Sequence, residues 1–108
     1  MRMNDAVRAF RALGDVTRQR MLALLEESGE LCVSEVARHF TMAQPSISHH
    51  LRILRDAGLV SAHKRGKEVY YALDREELGR CCGLFFAKFA CCRPVLRAAI
   101  TRSVTKKA

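Results

Sequence analysis

The 108-residue chain is predicted to be mainly α-helical with one small β-hairpin, and three observations carry that prediction. Apolar residues recur at helical spacing in segment after segment. The period changes to two over "EVYYAL", where Val69, Tyr71 and Leu73 alternate with Glu68, Tyr70 and Ala72. Capping residues and glycines separate the periodic stretches. The resulting order is four helices, a hairpin and a final helix. Two middle helices joined by a tight turn, with a hairpin behind them, define a winged helix-turn-helix in a single domain.

Each element has its own signal. Asn4 to Leu13 places Val7, Phe10 and Leu13 on one face, and Gly14 ends it. Asp15 is an N-cap for a second helix carrying Met21, Leu22, Leu24 and Leu25, which stops at Ser28-Gly29. Ser34 is placed to cap a short third helix bearing Val36, Ala37 and Phe40. In "TMAQPSISHHLRILRDAGLV", Pro45 suits a first helical turn, Ile47, Leu51 and Leu54 mark a buried face, and Gly58 fits the stop. "KRGK" supplies a glycine turn between two short strands. Asp74 with Glu77 predicts a capping box for the last helix, and Pro94 is expected to end or kink that helix. The expected layout is a helix-turn-helix over 33–58, a wing over 59–73, a last helix over 74–93 and a basic tail over 94–108.

Composition narrows the function. Nineteen Lys and Arg against eleven Asp and Glu leave a formal net charge of +8, which suits a polyanionic partner. No segment has the length and apolarity of a membrane span, and the start lacks the apolar core of a secretory signal. A cytoplasmic protein with reduced thiols is the expectation.

The fourth helix is the candidate reader of double-stranded DNA. With Ile47, Leu51 and Leu54 turned inward, Gln44, Ser46, Ser48, His49 and Arg52 face outward near its N-terminal half. These residue types reach base edges and phosphates, and recognition helices enter the major groove by this end. Lys64, Arg65 and Lys67 at the hairpin tip are placed for phosphate or minor-groove contact. His49 and His50 lie roughly 100° apart on a helix and do not chelate unaided. DNA contact is expected for His49, and packing or solvent for His50.

The segments "ALGDVTRQRMLALL", "ELCVSEVARHF", "QPSISHHLRILRDAGLV" and "KRGKEVYYALD" together resemble the ArsR/SmtB family of winged-helix repressors over roughly residues 6–75. The resemblance implies a homodimer, formed through the first and last helices, that leaves operator DNA when an inducer binds. Inducers in the family are thiophilic or transition metals, arsenite included, or in some members reactive sulfur or oxidants. Members that sense arsenite beside the recognition helix carry "ELCVCDL" with a further cysteine three residues on. Here Ser34 and Ala37 stand in the other two places, so Cys32 is expected to pack as a small buried hydrophobe. Ala43 stands where relatives often place a Ser cap.

Four of the five cysteines lie in "CCGLFFAKFACC", residues 81–92. On one helix Cys81 and Cys92 are separated by roughly 16 Å of rise. The segment is nearly palindromic about Phe86 and Ala87, however. Two antiparallel copies would bring Cys81 and Cys82 level with Cys92 and Cys91 of the partner. Leu78, Cys82, Phe85, Phe89 and Cys92 would form the seam. Cys81, Cys82, Cys91 and Cys92 are therefore candidate ligands for As(III) or Sb(III), and alternatively for Cd, Zn, Hg or Pb. Thiol oxidation or reactive sulfur is the alternative signal, with Arg80 and Arg93 expected to favour thiolates. Core packing is the plain structural alternative. Cys91 to Arg97 also matches a C-x5-R string used by cysteine phosphatases. A preceding helix, Pro94 and the lack of a glycine argue against that loop, and no enzyme activity is expected.

Overall fold

The computed structural model describes residues 3–94. Its elements are α1 (Met3–Leu13), α2 (Val16–Ser28), β1 (Leu31–Cys32), α3 (Val33–Ala37), α4 (Gln44–Asp56), β2 (Val60–Arg65), β3 (Glu68–Leu73) and α5 (Arg75–Phe86). Helices dominate, and the three strands form one small sheet, as a winged helix requires.

Burial of one stripe organises the molecule. Ile47, Leu51 and Leu54 of α4 are fully inaccessible, as are Met21 of α2, Val36 of α3 and Leu59 ahead of β2. The spacing of four and three residues keeps the α4 stripe on one face, so that face must enter the core. Around it pack Leu25, Val60 and Tyr71. Residues 38–43 connect α3 to α4, and α4 lies against α2, α3 and β2.

Local signals set the boundaries. The Asp15 carboxylate accepts the Arg18 amide at 3.0 Å and starts α2. Pro45 stands in the first turn of α4, and Ala43 precedes it with no side-chain cap. Gly66 turns β2 into β3 at φ 59°, a left-handed conformation that suits glycine. The hairpin runs from Val60 opposite Leu73 to Arg65 opposite Glu68.

Three local expectations change. Ser34 does not cap α3. The helix starts two residues earlier than a Ser34 cap would allow, Cys32 takes the cap position, and the Glu35 carboxylate accepts the Cys32 amide at 3.1 Å. β1 carries no sequence signal, because two residues are too short for a period. It pairs Leu31 with Tyr71 and Cys32 with Tyr70 on the free edge of β3. The box at Asp74 is half formed. Its carboxylate accepts the Glu77 amide at 3.0 Å, while Glu77 turns to Arg80 and Cys81 instead.

The largest difference is the length of the last helix. Expected to run over 74–93, α5 ends at Phe86. Tight turns follow, with Lys88 and Phe89 donating to Phe85 and Phe86 and Cys92 to Phe89. The Arg93 Nε donates to the Ala87 carbonyl at 3.1 Å. Pro94 does not end α5, which has already stopped at Phe86; with Arg93 it lies in helical backbone after the turns.

Truncating Leu51 to Ala should destabilise the fold by about 3 kcal/mol, as expected for a fully buried leucine. Arg52→Ala, one residue away but exposed, should change stability by less than about 0.5 kcal/mol. Urea midpoints check both values, and equal losses would show that α4 is not oriented as described.

Candidate nucleic-acid interface and cysteine cluster

The inward stripe of α4 leaves the opposite face to solvent. Gln44, Ser46, His49 and Arg52 are exposed there, and Ser48 is half-buried at its margin. His50 turns away from that face. Its side chain is 20% exposed and lies 3.2 Å from an Arg18 guanidinium nitrogen.

At the hairpin tip, Lys64 and Lys67 are exposed. Arg65 is also exposed, but it already has partners. Its guanidinium pairs with Glu30 and lies 4.7 Å from the centre of the Tyr70 ring. Glu30 also meets His63 at 2.5 Å. Among the described residues, Lys64 and Lys67 make no ion pair, and they stand in the same wing as one arginine whose charge is partly offset. Together with the face of α4, this surface suits a phosphate backbone and the edges of bases.

The four clustered cysteines occupy different surroundings. Cys81 is 2% exposed and belongs to the core; its thiol donates to Glu77 at 3.3 Å. Burial pushes this thiol up, and the neighbouring Glu77 carboxylate pushes it further. Cys82 is half-buried, and desolvation raises it also. Cys91 is exposed, Cys92 is half-buried, and their sulfurs are 3.7 Å apart. The contact with Cys91, ahead of burial, raises Cys92.

These observations correct the expected environment of the cysteines. Arg80 pulls the Cys81 thiol down, but burial and the Glu77 carboxylate, which also holds the Arg80 guanidinium at 2.8 Å, outweigh it. Arg93 is occupied by the Ala87 carbonyl. The continuous seam is also interrupted. Phe85 stacks edge-on against Phe10 of α1 at 4.8 Å, and the helix stops at the centre of the palindrome. Among the described residues, no group of three or more His, Cys, Asp or Glu side chains gathers as a metal site. The four sulfurs of one chain therefore do not fit a three-coordinate metalloid. Cys32 is buried, as its isolation suggested. The C-x5-R string extends to Arg97, outside the described residues.

Comparison with known proteins agrees with the fold. A family model described as bacterial regulatory protein, arsR family, matches residues 15–62. The crystal structure of an ArsR family transcriptional regulator superposes with a TM-score of 0.74 at 31% identity, covering 82% of this chain and 89% of that one. The chain belongs to the arsR family of bacterial regulatory proteins. Membership makes it a DNA-binding transcription regulator rather than an enzyme. The arsenical resistance operon repressor of Escherichia coli K12 is 43% identical over 67 residues, which are 62% of this chain and 57% of that repressor. The matched part thus spans little more than half of that relative. A solution structure from Mycobacterium bovis, described as a homodimeric winged helix-turn-helix DNA-binding domain, has a TM-score of 0.66 at 29% identity. It covers 77% of this chain and 76% of that one. Among the described residues, no helix of this ArsR-family chain is long and apolar enough to cross a membrane.

Thiol reactivity should follow these surroundings. At pH 7.5, iodoacetamide should modify Cys91 first and Cys81 last. A thiol raised by folding stays protonated to higher pH than in the unfolded chain. Folding therefore loses stability as pH rises past the ordinary cysteine range. Mass spectrometry of timed digests gives the order, and rapid modification of Cys81 in folded protein would contradict its placement.

Proposed function

We propose that this ArsR-family chain is a homodimeric repressor of operator DNA, released by a thiophilic metalloid, with arsenite or antimonite as the first candidates. The observation that carries the DNA half is the division of α4 into a fully buried stripe and an exposed polar face, together with an exposed basic hairpin tip. Gln44, Ser46, Ser48, His49 and Arg52 would read the major groove. Lys64 and Lys67 would bind flanking phosphates, and Arg65 would join them by leaving Glu30.

The dimer is supported by apolar surface on the first and last helices. Val7 of α1, Leu84 and Phe86 of α5 and Phe89 of the turn that follows are exposed, and Phe86 and Phe89 pack on the Phe10–Phe85 pair. A second copy offers the same surface, and closed two-fold pairing buries both. The homodimeric Mycobacterium bovis relative supports the same assembly.

Thiolate chemistry and the arsenical-resistance relative support the soft-ion reading. Since one chain does not gather three sulfurs, the second copy must complete the set. Cys82, Cys91 and Cys92 are the accessible members, and Cys81 can join only if α5 shifts and gives up core burial. Bound metalloid would supply bonds to sulfur that exist only in the released arrangement. Coupling of a few kcal/mol would suffice for release. The contact between Cys91 and Cys92 favours one further reading, in which an oxidant or reactive sulfur species joins their sulfurs.

Two measurements test the proposal. Operator affinity should fall by roughly a thousandfold or more between 50 and 200 mM salt if the dimer makes six or more phosphate contacts. A flat response would remove the assigned DNA surface. Replacing Cys82, Cys91 and Cys92 by Ser should preserve operator binding and abolish release by arsenite. Parallel titrations with antimonite, cadmium, zinc, mercury, lead and peroxide rank the signals. Full arsenite release from the triple variant would place sensing elsewhere.

A further inference from the structure

The contact between Arg18 and His50 has no place in base reading or ion binding, yet it joins three helices. The Arg18 Nε donates to the Ala12 carbonyl at 2.6 Å, and a terminal guanidinium nitrogen donates to the Arg11 carbonyl at 3.1 Å. Both carbonyls belong to the last turn of α1, where intrahelical donors run out. The other terminal nitrogen lies 3.2 Å from His50 Nδ1 on α4. The Arg18 backbone is itself fixed, because its amide donates to Asp15 at 3.0 Å. A guanidinium only donates, so Nδ1 of His50 is the acceptor in this contact, and the Asp15 carboxylate stands 4.0 Å from the same nitrogen.

A helix cap needs only the two α1 carbonyls. The third arm reaches across to the recognition helix, and the planar fork cannot keep all three bonds if α1 and α4 rotate against each other. We propose that Arg18 and His50 are positioning residues that set the angle of the recognition helix relative to α1. This inference rests on the reading of the chain as a DNA-binding dimer joined through α1 and α5. In such a dimer, the α1–α4 angle sets the separation of the two recognition helices. Half-sites lie about one helical turn apart, so a small angular error misplaces both.

The test uses the full chain and a duplex selected by the wild type from a random pool. His50→Leu removes the acceptor, whereas His50→Asn keeps an oxygen near the Nδ1 position. Arg18→Lys keeps the charge, but its single nitrogen cannot span the three acceptors that the guanidinium fork reaches. His50→Leu and Arg18→Lys should each weaken binding about tenfold, with His50→Asn within about threefold of wild type. The salt slope should be unchanged, because no phosphate contact is lost. Both weak variants should be less sensitive than wild type to one base pair inserted between half-sites. The double variant should be no weaker than the worse single one. Equal losses in His50→Leu and His50→Asn, a reduced salt slope, additive losses or no loss would overturn the proposal.

Independently of DNA, amide hydrogen exchange in the first half of α4 should quicken in His50→Leu and Arg18→Lys but not in His50→Asn, at equal melting temperature. The same exchange in all variants would overturn the strut. Failure of the wild type to select any duplex would count against the DNA-binding reading, and the exchange result would still decide this one.

Discussion

Burial of Ile47, Leu51 and Leu54 beneath α4 is the interaction on which the rest of the structure depends. The three side chains remove apolar area from water at a cost-free spacing for a helix, and each contributes on the order of 2 kcal/mol. Because the stripe is one-sided, burial also decides where every other α4 residue points. The polar face is therefore a consequence of the core. The same core receives Tyr71 of β3, which packs the hairpin against the helices and leaves Lys64 and Lys67 exposed at its tip.

Most of this was legible from residue pattern. Asp15, Pro45 and Gly66 act through local chemistry, so their places could be read without tertiary information. β1 was not legible, because a two-residue strand is defined by its partner Tyr70–Tyr71 and not by its own period. The cap of α3 was misread for a similar reason. Ser34 is the better intrinsic cap, but pairing of Cys32 with Tyr70 sets the start of the helix. The Arg18–His50 contact spans thirty-two positions and leaves no trace in spacing. A hint existed in His50 itself, a polar residue next to the buried Leu51 that the outward face did not need.

The cysteine segment shows where pattern reading fails. Its palindrome and apolar periodicity suggested one continuous helix. In the fold, Phe85 finds Phe10 on α1, and the chain turns after Phe86. Two neighbouring cysteines then acquire opposite characters: Cys81 fills the core against Glu77, while Cys82 stays partly accessible. Glu77 is held low chiefly by Arg80, then by the Cys81 thiol, and so remains a charged neighbour that disfavours thiolate. The proposed sensing by this segment would therefore need sulfurs from two copies, since one chain does not gather three of them.

The most direct test of the account is to map amide chemical-shift changes as a cognate duplex is added to the isotope-labelled protein. The account predicts the largest changes at Gln44, Ser46, Ser48, His49 and Arg52 and at the tip from Lys64 to Lys67, with little change around Cys91 and Cys92. Largest changes on α1, α5 or the cysteine turn, with the α4 face silent, would contradict it.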